Sequence, residues 1–504
     1  MADPLQSDLS PHDLATVEAS PLYNEDLAPI PSSKRRWGTK DIANLWVGMS
    51  VCIPTYMLAS GLIHAGMNWW QAILTVTLGN MIVLIPIVLN GHAGCKYGIT
   101  FPVFARASFG TAGTHIASVL RGIVACGWFG IQSWIGGEAI YRLLLLKWPS
   151  LADTAVWMFV SNEHIQVNTA QFLSFLAFWA VNIAIFWRGM ESIRFIENWG
   201  APLLIGIGVM FLVWAYKKAD GFGPMLSQPG SYRTPSEFWK IFIPGLTSMV
   251  AFWATLSLNI PDFTREAKSQ RAQLWGQFLG LNTTMPFYAF IGVAVTSATV
   301  VIFGEAIWDP VELLSRFDNI GIILVSMFAL SLATLTTNLA ANVVAPATAF
   351  SNFLPRAISL RMGGIITGII GILMMPWKLA ADPSGYIFTW LLGYSSLLGP
   401  IGGILICDYF VLRKRTMNLP ALYDPRGEYS YCGGYNPRAL IALALAVAPN
   451  VPGFLVTLKW NIPHAQIWST IYSYAWFVGF FVAFALYYFL MKGYRPQTHS
   501  AGGR

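Results

Sequence analysis

The sequence predicts an all-α, polytopic membrane protein, and three observations carry that prediction. Of its 504 residues, 55% are hydrophobic and only 11% are charged. Mean hydropathy is +0.53, as for a chain whose apolar residues face lipid as well as a core. At roughly 20 residues per helical span, those residues gather into about twelve stretches. They lie near 42–64, 69–94, 114–147, 168–188, 197–217, 238–260, 274–303, 319–342, 362–378, 385–412, 438–458 and 467–491.

The net charge of +7 points to topology in a lipid bilayer and not to nucleic acid, because the basic residues fall into alternate short loops. One side receives Lys34, Arg35, Arg36 and Lys40, then Lys96 and Arg106, Arg188 and Arg194, and Arg265, Lys268 and Arg271. Arg356, Arg361, Arg413, Arg415, Arg495 and Arg504 fall on that side too. The positive excess marks the cytoplasm, so both termini are expected there, with the chain in the plasma (inner) membrane. The five cysteines are scattered without metal-ligand spacing. The first thirty residues are acidic and Pro-containing without a signal-peptide pattern, so residues 1–37 are expected to be a disordered cytoplasmic tail, and 492–504 a second tail.

Taken in order, the first span reads IANLWVGMSVCIPTYMLASGLIHAG and is interrupted by Pro54, which removes a donor and crowds the preceding turn. Carbonyls near Gly48 and Val51 would lose helical partners there, either to face a cation or as part of an ordinary kink. GHAGCKYGITFPVFARASFG, between the second and third spans, reads as a structured cytoplasmic loop and candidate gate. The third span contains GIVACGWFGIQSWIGGEAIYRLLL, which places Trp128 and Gln132 one turn apart on one helix face. An uncompensated amide in hydrocarbon is costly, so Gln132 should face the protein interior. Gly127, Gly130, Gly136 and Gly137 thin this helix, letting a ligand or a neighbouring helix approach. Of Asn182, Trp187, Arg188 and Asn198, in and between spans four and five, most read as interface anchors.

Span six, FIPGLTSMVAFWATLSLNIPDFTRE, carries Pro244, Trp253, Asn259 and Pro261, and is the second Pro-interrupted span, five spans after the first. Broken helices at corresponding places in two halves point to an inverted-repeat transporter with its site at the midplane. Asp262 reads as a helix-end or ion-pair residue beside Arg265, and GEAIWDPVELLSRFDN as an amphipathic outer cap. In span eight, Thr334, Asn338 and Asn342 recur every four residues on one stripe, with Ala333, Thr336 and Thr337 beside it. Their oxygens suit a hard cation and the amides an amide ligand, although bridging between helices would use the same residue types. Together, Trp128 and Trp253 with Gln132 and Asn342 would form a flat aromatic slot edged by carboxamides, suited to a neutral, planar, amide-containing solute.

At these residues the chain resembles the nucleobase:cation symporter family of hydantoin, allantoin, uracil and cytosine permeases, especially its plant plastid and bacterial allantoin branches. The matching stretches run from about Tyr23 to Leu490 and include NEDLAP, LNGHAG, KYGITFPVFARASFG, GWFGIQSWIGGEAI, FWATLSLNIPDF, LATLTTNLAANVVAPA, MMPWK and LLGPIGG with DYF. The resemblance implies a leucine-transporter-like five-plus-five inverted repeat plus two helices, with repeats at 38–217 and 218–415 and the added pair at 416–491. It implies that Trp128 and Trp253 sandwich a nucleobase or cyclic ureide while Gln132 and Asn342 hydrogen-bond it. It further implies a sodium position formed by the carbonyls of Gly48, Val51 and Ala333 and the hydroxyls of Thr336 and Thr337. Cys52 stands where the hydantoin transporter has Gln and Phe252 where it has Gly, so both join the substrate wall in altered form. Gln132 replaces a Glu of the plant branch.

The expected activity is therefore secondary active import of uracil, allantoin, hydantoin or a purine base with Na+ or H+, without any enzyme cofactor. Transport of another small neutral solute is the alternative, and a channel a further one. An enzyme is disfavoured because the spans hold no nucleophile motif or His/Asp/Glu cluster, and no P-loop points to an ATP-driven pump.

Overall fold

The computed structural model describes residues 5–156, 166–188, 190–354, 357–379 and 389–494, side chains at 190–201 and 340 excepted. Residues 5–37 depart from the expected disordered tail. They contain α1 (Pro11–Glu18), capped by Ser10, and bury Val17 and Leu27. Ile30 N donates to Gly98 O at 2.9 Å, Gln6 N to Lys96 O at 2.7 Å and Tyr423 Oη to Leu27 O at 2.6 Å. Backbone hydrogen bonds and a few apolar anchors hold this segment, so its polar composition conceals its order.

The first span is α2 (Thr39–Ser50) and α3 (Ile53–His64), bent by 58°. The break falls at Val51 and Cys52, ahead of Pro54, which sits in the first turn of α3 where a missing N–H costs no helical bond. α4 (Trp69–Tyr97) opens with an Asn68/Gln71 capping box and ends at Gly98, whose φ of +72° suits glycine. The supposed loop that follows is helical: it extends α4 and forms α5 (Phe101–Phe109), all of whose residues are buried. Asp262 Oδ1 accepts from Phe101 N at 2.7 Å, a helix-end role as expected. Arg265 turns instead to the Asp26 carbonyl, at 3.0 Å.

α6 (Thr114–Lys147), α7 (Thr169–Arg188) and α8 (Met190–Lys218) follow. The α6 glycines admit neighbours and not a ligand: a Cβ at Gly137 would lie 2.4 Å from Phe175 Cα, and one at Gly130 would lie 2.5 Å from Gly371 O. After α9 (Phe222–Leu226), span six divides into α10 (Pro235–Phe252), α11 (Ala254–Asn259) and α12 (Pro261–Thr264). Its central break is at Trp253 (φ −98°, ψ 4°) and not at a proline; Pro244 lies within α10.

α13 (Gln270–Phe303) leads to α14 (Pro310–Ser315), the expected amphipathic cap, with Pro310, Val311, Leu313 and Leu314 buried. α15 (Ile320–Asn338) passes through a π-helical turn at Leu339–Val343 into α16 (Val344–Phe353). α17 (Leu360–Leu373), α18 (Pro376–Leu379), α19 (Leu392–Ile406), α20 (Pro437–Val447), α21 (Val451–Thr457), α22 (Ala465–Ser473) and α23 (Ala475–Met491) complete the chain.

Among the described residues there is no β-strand, only isolated bridges. Among the same residues seven helices are long and apolar enough to cross a membrane, nine if each of two bent pairs is counted as one span. Each expected stretch falls on a helix or a broken set of helices; residues 385–388 of the tenth lie outside the described residues, as do Arg356, Arg495, Arg504 and the side chains of Arg194 and Asn198. The broken helices run through the centre, α2 and α3 against α13, and α10 and α11 against α4 and α19, while α15 packs along α6. Helix is the only open-chain form whose backbone satisfies itself in lipid, so breaks are confined to this enclosed interior.

Candidate functional site

The breaks in spans one and six, the middle of α6 and the π-turn converge on one cavity. It is lined by Cys52, Trp128, Gln132, Phe252, Trp253, Thr337 and Asn342, all expected site residues. No Lys, Arg, Asp or Glu lines it among the described residues. Its volume is about 30 Å³, room for a water and not for a heterocycle.

Phe252 accounts for that small volume. Its ring meets Trp128 at 5.2 Å between centroids and 77° between planes, and Trp253 at 4.8 Å and 89°. Both are edge-to-face contacts. The phenyl group thus stands between the two indoles that were expected to sandwich a solute. Trp128 also meets Trp390 at 6.0 Å and Tyr394 at 6.3 Å, while Trp253 Nε1 donates to Asn80 Oδ1 at 3.2 Å. Cys52 Sγ lies 3.2 Å from Thr55 Oγ1.

The two carboxamides differ. Gln132 Oε1 is buried without a donor among the described residues, whereas Asn342 Nδ2 donates to Asn338 Oδ1 at 3.1 Å. Of the expected stripe of Thr334, Asn338 and Asn342, the last two stay in side-chain contact across the π-turn, but only Asn342 lines the cavity. Asn338 instead turns to α6 and α7, reaching the Phe129 carbonyl, Ser133 Oγ and Asn182 Oδ1. Asn182 is correspondingly a fully buried partner and no interface anchor.

The expected cation ligands present only uncharged oxygens. In an unbroken helix Cys52 N would reach Gly48 O and Thr55 N would reach Val51 O; they donate to Ser50 O and Cys52 O instead, which releases both expected carbonyls. Thr336 Oγ1 and Thr337 Oγ1 donate to Ala333 O at 2.7 and 3.1 Å, leaving their lone pairs for another group. Such a set suits a hard monovalent cation. No group of three His, Cys, Asp or Glu able to hold a metal occurs among the described residues. Of the expected ligands, Thr337 lines the cavity, whereas Gly48, Val51, Ala333 and Thr336 do not.

Sequence reasoning passed over Arg121. It is buried in α6 and donates Nη2 to Asn259 Oδ1 at 2.7 Å, while Asn259 Nδ2 reaches Asp262 Oδ2 at 3.3 Å. An arginine inside a long apolar helix was itself the available signal.

An all-helical membrane protein with two broken helices enclosing an aromatic and amide cavity is, as a class, a secondary transporter. Residues 29–479 match the family described as permease for cytosine/purines, uracil, thiamine and allantoin. The chain belongs to that family, a family of permeases and not of enzymes. It is 44% identical over 491 residues to the purine-uracil permease NCS1 of Arabidopsis thaliana, covering 96% of this chain and 80% of that protein. It is 39% identical over 484 residues to the allantoin permease of Bacillus subtilis, covering 95% of each. Among solved structures, Mhp1, a nucleobase-cation-symport-1 family transporter in a closed conformation with bromovinylhydantoin bound, aligns with a TM-score of 0.75 and 26% identity. That alignment covers 94% of this chain and 95% of Mhp1. The architecture is the leucine-transporter-like fold.

Proposed function

We propose that this chain is a symporter that imports a nucleobase or cyclic ureide together with Na+ by alternating access, across a plasma (inner) membrane with both termini cytoplasmic. The observation that carries this reading is the single cavity bringing Trp128, Gln132, Phe252, Trp253 and Asn342 together with Thr337. Residues 38–217 and 218–415 form the two repeats in this reading and 416–491 the added pair.

The chemistry follows from the lining. Phe252 swings from between the indoles, and a planar ring takes its place, exchanging edge contacts for stacking on Trp128 and Trp253. Gln132 and Asn342 supply hydrogen bonds in a desolvated setting, where rings lacking matching groups are rejected because buried amides would stay unpaired. With no ionised side chain at the cavity, the ligand is neutral. A cation held by the Gly48, Val51 and Ala333 carbonyls and the Thr336 and Thr337 hydroxyls would tie the first span to α15, and Thr337 joins that set to the solute cavity. Coupling then follows from linkage: each ligand raises the affinity for the other.

The test is tryptophan-fluorescence quenching of purified protein by uracil, allantoin, hydantoin, cytosine and adenine, in sodium and in potassium. Sodium-enhanced quenching by at least one ring supports the proposal. Quenching indifferent to sodium moves the coupling ion to H+, and no quenching by any ring refutes the substrate class.

A further inference from the structure

The unlike condition of the two cavity amides bears on what the solute must offer, an inference that rests on the site reading above. Gln132 is 4% exposed, and no hydrogen bond from the described residues holds its amide, so either edge can turn to a ligand. Asn342 has no such freedom. Its Nδ2 is committed to Asn338 Oδ1.

Asn338 is itself fixed. Its Nδ2 lies 3.2 Å from the Phe129 carbonyl, which can only accept, and 3.2 Å from both Ser133 Oγ and Asn182 Oδ1. Asn182 Nδ2 in turn donates to the Phe178 carbonyl at 2.9 Å. Two backbone carbonyls therefore set the direction of three successive amides, because reversing any of them would place oxygen against oxygen. Asn182 and Asn338 are both 0% exposed, so water cannot relieve such a reversal. At the end of the relay, Asn342 keeps Oδ1 turned from Asn338 and free of any donor from the described residues.

We propose that Asn338 is a positioning residue: through the Asn182–Asn338–Asn342 relay it locks Asn342 with Oδ1 as its acceptor toward the cavity. The site therefore leaves an acceptor at that edge for a ring N–H to fill, with the second Nδ2 hydrogen beside it for a ring carbonyl. Gln132, free to turn, accepts either a donor or an acceptor at the opposite edge. The solute class is thus narrowed to cyclic imides, ureides and lactams with at least one N–H, and rings whose edges carry only acceptors or alkyl groups are refused.

The test measures dissociation constants of purified protein for uracil against 1,3-dimethyluracil and hydantoin against 1,3-dimethylhydantoin, in the parent, Asn338→Leu and Asn338→Asp. The methyl groups' bulk is common to all three proteins and cancels when the ratios are compared. In the parent, the methylated ring binds at least ten-fold more weakly than the unmethylated one. In Asn338→Leu, Asn342 is free to reverse, and the ratio falls by at least five-fold. In Asn338→Asp, the neutral acid donates its O–H to the Phe129 carbonyl and accepts from Asn342 Nδ2 on its other oxygen, so the ratio stays near the parent's even if affinity drops. That variant also decides the matter should Asn338→Leu fail to fold. An unchanged ratio in folded Asn338→Leu, or a collapsed ratio in Asn338→Asp, overturns the relay while leaving the site reading intact. Failure of uracil and hydantoin alike to bind the parent overturns the site reading and the relay with it.

Discussion

Trp128→Ala is the most direct perturbation of the proposed slot, because Trp128 is the indole that α6 contributes to the cavity. Stacking of a nucleobase on an aromatic side chain is worth about 1–3 kcal/mol by alanine substitution, which converts to a rise in Kd of roughly 5- to 150-fold. The same substitution also removes ring contacts with Phe252, Trp390 and Tyr394 at 5.2, 6.0 and 6.3 Å. Loss of a buried tryptophan costs about 3–5 kcal/mol of folding stability, so binding and stability must be read separately. Trp128→Phe, which keeps a flat face, should lose less of both. The assay is equilibrium dialysis with radiolabelled uracil or allantoin, on protein shown to be folded by thermal unfolding and size exclusion. Quenching is unsuited here because the variant loses one of 21 tryptophans. The slot is refuted if Trp128→Ala and Trp253→Ala, both folded, each bind within about two-fold of the parent, far below the shift that lost stacking requires.

Further expectations concern other parts of the molecule. Phe252→Gly opens the space between the indoles and should improve binding of bicyclic bases relative to single rings, as measured by the adenine-to-uracil Kd ratio; an unchanged ratio would remove Phe252 from the pocket wall. Thr337→Ala should reduce sodium enhancement of binding while affecting affinity without sodium much less, tested by titrating sodium at fixed solute. Arg106→Met strips donors from the Leu422 and Leu22 carbonyls and Asn352 Oδ1, and should cost about 3–5 kcal/mol in denaturant unfolding. Desolvation pushes the Asp309 carboxyl from 3.8 up to about 6, with Glu138 and Glu312 raising it further and the Val311 N–H and Arg142 opposing. The folded state then keeps a proton that the unfolded chain releases, so this stabilisation is present below 3.8 and lost as pH rises to about 6. Thermal unfolding across that window should show a decline with rising pH that Asp309→Asn flattens.

The span pattern was legible because hydropathy alone dictates it, and Pro54 announced that the first span would break. The break at Trp253 was hidden: AFWATL contains neither glycine nor proline, and the span's prolines, Pro244 and Pro261, lie away from it. The π-turn at Leu339–Val343 was equally silent, since LAANV holds ordinary helix-compatible residues. The four-residue stripe from Thr334 to Asn342 selected buried polar residues, and its last two members do bond each other, but it could not tell that Asn342 lines the cavity while Asn338 reaches α6 and α7. The role of Asn182 was not legible because its partner lies 156 residues away on another helix, a pairing that local spacing does not encode. Phe252 was recognised as pocket wall, but that it closes the slot depends on a rotamer and not on the sequence.

The ordered segment before the first span has a consequence for biosynthesis. Ser20 is joined to the Tyr423 carbonyl across 403 residues of chain. At 5–20 residues per second, roughly 20–80 s separate the synthesis of these two partners. Throughout that interval the segment carrying Val17 and Leu27 lacks Tyr423, which accepts from the Ser20 hydroxyl and donates to the Leu27 carbonyl, so a part made early is fixed late. The nascent chain thus carries a small apolar flag until the loop ahead of α20 arrives, open for that time to chaperones and proteases, and hidden from both once the fold closes over it.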